Sequence, residues 1–307
     1  MLKRTFITIT ILLSICSFAI GQGTTGFELL RSEVGGRGAA MAGAMIAVES
    51  GIDGLFYNPA ALGAIENRRV DVTYLNHLLD IESGFIAYGH RVENVGVFGA
   101  GLNYMNYGVF HEATAYGELT GSNFHAADFL FTLGYGRKLN ETITVGGSFK
   151  YINSEIWDVH ASAYAFDLGA MIYTPFDNTK LGIGVFNIGS ALNGFYDYED
   201  ELPLAYKVGF SKPLAHLPLE IALQLEKYRD SDIYLSAGGE FTISEMLRLR
   251  LGWSSRGGEQ QVDSDKDIFA GASFGLGFQT SGVLVDYSLT SMGELGTMTR
   301  FSIGGVF

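Results

Sequence analysis

The chain has 307 residues, 41 of them glycine, with 22 Phe, 16 Tyr and only 5 Pro. Glycine at about 13% against an average of ~7% points away from an ordinary helical domain and toward strands with many close backbone approaches. A formal net charge of −13 excludes nucleic acid as a partner, since no basic face is available to neutralise phosphates. The single cysteine excludes a disulfide frame.

The first expected element is an export signal. "MLKR" is a short basic start and "TFITITILLSICSFAI" an apolar run ending near the small residues Ala19 and Gly21, so residues 1–21 are expected to be a cleaved Sec signal peptide. A lipoprotein reading centred on Cys16 fails, because Ile15 stands where a small residue is needed. Removing the signal takes away the only cysteine, and with it any thiol nucleophile. No later run of ~20 apolar residues is long enough to span a membrane as a helix.

Residues 22–68 form the next unit. "GGRGAAMAGAMIAVESGIDG" is rich in small residues, and a helix is expected over Arg37 to Val48. In "GLFYNPAALGAIENRR", Asn58 is a good N-cap, Pro59 suits the first helical position, and Ala60 to Leu62 continue the turn until Gly63 stops it. Two such short pieces cannot be a domain; they need a surface to pack against.

From Arg69 to Phe307 the period is two. "MLRLRLGWSSR" sets Leu247, Leu249, Leu251 and Trp253 against Arg248, Arg250, Ser254 and Arg256, and "LEIALQLE" sets Leu219, Ile221, Leu223 and Leu225 against Glu220, Ala222, Gln224 and Glu226. Fourteen such segments are expected, starting near residues 69, 84, 95, 126, 142, 160, 179, 202, 217, 232, 246, 266, 282 and 297. Short turns alternate with longer polar loops, the longest at 108–125. An even number of strands, alternating connection lengths and one apolar face are the marks of a bacterial outer-membrane β-barrel, in contact with outer-membrane lipid. In the final "RFSIGGVF", Phe301, Ile303 and Phe307 share the apolar face, like the C-terminal signal that such barrels show to their assembly machinery. The expected fold is therefore all-β: a transmembrane antiparallel barrel of about 14 strands. A barrel this wide is not filled by its own side chains, so residues 22–68 are expected to be a helical hatch in the lumen, starting at the inner mouth.

The run "GGRGAAMAGAMIAVESGIDGLFYNPAALG", followed by a glycine- and aromatic-rich barrel ending in Phe, resembles the PorV/PorQ group of the FadL-like outer-membrane superfamily. The resemblance implies a hatch or gate that includes Arg37, Asn58, Pro59 and Ala60. It implies one of two roles. PorV and PorQ are components of the type IX protein secretion system, which makes a docking platform for secretion-system proteins the first expectation. FadL-like channels pass long-chain fatty acids or other hydrophobic small molecules, which makes a hatch-gated channel the alternative.

Among the inward-facing charges, a turn centred at Glu245 sets Glu240 opposite Arg250, and one centred at Gly293 sets Asp286 opposite Arg300; both are expected to be lumen pairs within ~6 Å. The acidic run at Asp197, Glu199, Asp200 and Glu201 lacks the spacing of a calcium loop and is expected to be a solvated rim. The six histidines are scattered, and "SFGLGF" at 273–278 lies in a strand with no helix after it, so it is not a phosphate loop. No metal, cofactor or catalytic residue is expected.

Overall fold

The computed structural model describes residues 25–78, 81–114, 116–195, 200–261 and 265–307; the expected signal peptide and Asp197 and Glu199 lie outside them. Among the described residues no helix is long and apolar enough to cross a membrane. The crossing is made by fourteen strands: β1 (Arg69–Asn76), β2 (Glu82–Val92), β3 (Gly96–Ala113), β4 (Leu119–Lys138), β5 (Ile143–Ile156), β6 (Val159–Tyr173), β7 (Lys180–Asn193), β8 (Ala205–Pro213), β9 (Leu219–Tyr228), β10 (Ile233–Thr242), β11 (Leu247–Ser254), β12 (Ala272–Thr280), β13 (Val283–Ser291) and β14 (Thr297–Val306). Each pairs antiparallel with its neighbours, and β1 pairs with β14 to close the barrel. Closure leaves no unpaired sheet edge facing lipid along the seam, which is the condition for strands in hydrocarbon.

The alternation has the expected sense. On β1, Val72 and Tyr74 face outward while Asp71, Thr73 and Leu75 are buried inside. On β14, Phe301 and Ile303 face outward and Arg300 and Ser302 inward; Phe307 follows the strand and donates its N–H to the Arg68 carbonyl, tying the two ends of the barrel together.

Three boundaries differ from the sequence expectation. β3 and β4 run on through most of the region read as a long loop: Tyr107–Ala113 and Leu119–His125 pair with each other past the last partners on β2 and β5, making a two-stranded ribbon above the barrel rim. β12 begins at Ala272 rather than Lys266, because Asp265–Phe269 form a 3-10 turn and Gly271 takes φ +82°. The apolar alternation through Ile268 and Ala270 does not register this turn. β8 begins at Ala205 rather than Leu202, opposite Phe186, so β7 from Asn187 to Asn193 has β6 on one side and no β8 partner on the other.

That interruption has a local cause. Asn187 takes φ +58° at a bulge against β6. Its N–H donates to Asp167 Oδ1 (2.8 Å), its side-chain amide donates to the Pro203 carbonyl (3.0 Å), and its Oδ1 accepts from Lys150 Nζ (3.0 Å). Lys150 and Asp167 form a fully buried ion pair at 2.7 Å. Turned inward, Asn187 gives each of these charges a further hydrogen bond, and the ladder to β8 stops there. A recess of about 400 Å3 occupies the missing wall, lined by Ile188 to Ala191, Leu202, Leu204 and Arg229 among others.

Candidate functional site: the hatch and the vestibule above it

Residues 25–65 fill the lumen. The expected helix from Arg37 to Val48 is only α1 (Gly36–Ala40): Ala42 and Gly43 take φ +49° and +74°, and the chain turns. A 3-10 turn at Gly51–Asp53 leads into α2 (Gly54–Tyr57), and Pro59–Ala64 form a second 3-10 turn. Asn58 caps that turn, accepting from the Ala60 N–H at 3.1 Å, and its amide donates to the Ile46 and Ala170 carbonyls. One side chain thus ends α2, starts the next turn and ties the hatch to β6.

The floor is packed on glycine. A Cβ at Gly146 would stand 2.3 Å from the Pro59 carbonyl, one at Gly169 2.0 Å from Asn58 Oδ1, and one at Gly182 2.1 Å from the Ile46 carbonyl oxygen. Gly238 and Gly252 likewise sit against Met41. Gly146, Gly169 and Gly182 lie toward the short-turn ends of β5, β6 and β7, whereas Gly238 and Gly252 face each other further along β10 and β11. Part of the glycine excess is thus used where backbone meets backbone, toward the short-turn mouth, which in outer-membrane barrels faces the periplasm.

The chain enters from the opposite end. Thr25 bridges to Glu201, and Gly26 donates to the Glu201 carbonyl at 3.1 Å, in the long connection between β7 and β8. Arg31 holds Asp230, in the loop after β9, at 2.7 Å. The first described residues therefore stand at the long-loop mouth, not at the inner mouth as expected. From there the chain descends along the lumen to the floor and only then joins β1. Strand parity fixes where β1 starts; it does not fix where the segment before β1 begins.

Buried charges brace the hatch against the wall. Arg37 on α1 holds Glu240 on β10 (2.8 Å), Glu240 holds Arg250 on β11 (2.6 Å), and Arg250 holds Asp286 on β13 (2.5 Å). Glu240 and Arg250 stand opposite each other as the turn centre predicts. The Asp286–Arg300 pair does not form. Asp286 lies opposite Ser302, and Arg300 lies opposite Ser288. The turn is centred one residue later than Gly293, which moves every partner by two positions. Arg300 instead contacts Glu33 of the hatch at 3.8 Å and Thr290 at 3.2 Å.

Above the floor, a vestibule of about 390 Å3 opens toward the long loops. Ile81, Met105, Tyr107, Met292 and Met298 supply its apolar lining, and Arg31, Arg256 and Arg300 its cationic corners. Arg256 is engaged by Glu226 and lies 5.4 Å from the Tyr228 ring centre, with Arg31 at 4.6 Å. Burial, reinforced by Arg300, holds His77 down to about 4, so the imidazole in this pocket is neutral at pH 7. Further in, the spaces shrink to about 30 Å3 and then about 10 Å3, room for a water or two at most. The vestibule is a dead end toward the floor.

Among the described residues no group of three acidic, His or Cys side chains is placed to hold a metal ion. Sequence reasoning singled out Arg37 and Asn58 but missed the methionines and Tyr107 of the vestibule, which come from β3, β14 and the connection between β13 and β14.

The sequence matches no protein-family profile and no curated protein. The fold does match solved structures. The toluene transporter TodX of Pseudomonas putida aligns with a TM-score of 0.61 at 13% identity, covering 94% of this chain and 97% of that one. The monoaromatic hydrocarbon channel CymD aligns at 0.61 and 12% identity, covering 92% and 99%. A Pseudomonas aeruginosa FadL homologue aligns at 0.55 and 11%, covering 89% and 98%. The architecture is that of FadL-like outer-membrane barrels.

Proposed function

We propose that the protein is a hatch-closed outer-membrane channel for small apolar molecules, which are taken up from the long-loop side. The observation that carries this reading is a vestibule of about 390 Å3, apolar along one side, set above a sealed floor. Its volume falls within the range of about 300–1,000 Å3 usual for small-molecule sites, and flexible methionines suit an apolar guest of variable shape. The fold likeness to hydrocarbon channels supports the same class of solute. The secretion-platform reading rests on the resemblance of the hatch run and of the barrel ending in Phe.

The test is uptake by whole cells that carry the protein in place of their own hydrophobic channels, with a labelled monoaromatic hydrocarbon as solute. Uptake well above that of cells without the protein is expected. Filling the vestibule with Met105→Trp plus Met298→Trp is expected to cut the excess several-fold at equal outer-membrane abundance. Uptake no greater than in cells lacking the protein, together with co-purification of secretion proteins, would return the reading to the docking platform.

A further inference from the structure

At the short-turn end the hatch meets the seam where β1, β13 and β14 close the barrel, and three carboxylates converge there. Asp53 ends the 3-10 turn at Gly51, Asp71 is on β1 and Asp286 on β13. With Gly35, Arg69 and Ser302 they line a cavity of about 10 Å3, at the lower limit for one water. Two of the three acids have their own arginine: Arg69 holds Asp71 at 2.9 Å, and Arg250 holds Asp286 at 2.5 Å. Asp53 is buried, yet among the described residues no hydrogen bond or ion pair reaches its carboxylate.

The backbone is fitted around it. Gly35 takes φ +72°, and a Cβ there would stand 2.6 Å from Asp53 Oδ2. Gly36 donates to Ser302 Oγ on β14 at 2.8 Å, and Ser302 in turn meets Thr73 on β1. The remaining groups around Asp53 are Arg37 on α1, which is engaged by Glu240, and Tyr57 on α2, whose hydroxyl donates to the Val34 carbonyl. Burial first, then the negative charge of Asp71, pushes the Asp53 carboxyl up to about 8, with Asp286 adding to the rise and Arg69 and Arg37 opposing it. At neutral pH this carboxyl keeps its proton.

We infer that Asp53 is a proton-operated latch: neutral, it lets the hatch close against the β1–β14 seam, and ionised, it sets a third negative charge in a nearly dry cavity and releases the floor. The inference does not depend on which solute the vestibule takes. A released Asp53 is solvated and titrates near the ordinary ~3.9. The closed state binds the proton more tightly than the open one, so closure weakens as pH rises between those two values and changes no further above the closed-state value. The open fraction therefore rises by up to tenfold per pH unit and levels off near pH 8.

The experiment is potassium chloride conductance of the purified full chain in planar bilayers from pH 5 to 9, with Asp53→Asn beside it. The expected result is rare openings at pH 5, at least a tenfold rise by pH 8, then a plateau; Asp53→Asn stays at the low level throughout. Openings independent of pH in the native protein, or an equal rise in Asp53→Asn, would overturn the latch. Should Asp53→Asn not give the folded, heat-modifiable band, amide exchange in the native chain decides. Amides 51–57 should lose protection with pH beyond the intrinsic base catalysis while amides 38–48 hold theirs, and uniform behaviour would refute it.

Discussion

The two halves of the hatch are held by different physics. The lower half, from α1 to Ala64, lies against strand backbones through glycines and is braced by the buried run Arg37, Glu240, Arg250 and Asp286. The upper half, Thr25 to Glu33, touches the wall mainly at its rim, through the Glu201 bridge, the Arg31–Asp230 pair and a loose 3.8 Å contact between Glu33 and Arg300, with Phe27 and Leu29 packed on β3 to β6. Close backbone packing has no graded way to loosen, because interiors are dense and shift in discrete steps. The polar contacts of the strap are few and lie beside the open vestibule, so they can be remade one at a time. The floor therefore yields only in a discrete step, when its latch or its brace is undone, while the strap above it adjusts to whatever enters the vestibule.

The strongest way to break that contrast is to cut the brace under the floor. Arg250→Met leaves Glu240 with Arg37 and a longer 3.9 Å contact to Arg248, and Asp286 with no arginine. Breaking a buried pair from one side costs about 3–5 kcal/mol. Urea unfolding of the barrel in lipid should show a loss of that order, with leakier bilayers at neutral pH; a loss near that of a rim variant would mean the charges are solvated and the brace idle.

Next is the glycine contact itself. Gly146→Val puts a branched side chain where the Pro59 carbonyl stands 2.3 Å from a bare Cβ. Overpacking of this kind costs about 1–3 kcal/mol, and with backbone on the receiving side the hatch must lift rather than repack. Conductance should rise several-fold with the strand content unchanged by circular dichroism. A smaller effect belongs to Asn58→Ala, which removes a cap and two bonds to carbonyls, a loss of about 1–2 kcal/mol; amide exchange should locate it at residues 58–64.

The barrel was largely legible because a period of two over 240 residues with one continuously apolar face has few other solutions. The alternation gave Leu247 to Trp253 their face and Glu240 its partner. It failed where geometry, not hydrophobicity, sets the boundary. The β3–β4 ribbon above the rim is mixed in character, since no lipid selects its outer face. Ile268 continues the apolar rhythm into a 3-10 turn. A one-residue error in a turn centre was enough to misassign Asp286 and Arg300, since partners move in steps of two. The candidate site was legible only as a hatch. Asn58 announces itself by the Asn-Pro pair, whereas Met105, Met298 and Tyr107 meet only through closure of the barrel. The wall interruption hangs on Asn187, a single residue in a strand that otherwise alternates poorly.

The smallest expected effect on stability is the most informative about the strap. Asp230→Ala takes the carboxylate from Arg31 and Thr25 at the long-loop mouth and leaves Arg31 with Glu28 at 3.5 Å, a loss of about 1 kcal/mol, and the urea midpoint should barely move. If the strap is the adjustable half, the consequence appears in the vestibule: hydrocarbon uptake changes about two-fold or more while potassium chloride conductance, set by the floor, stays at the native level. Parallel changes in both would mean that strap and floor move as one body, and the division drawn from their contacts would fall.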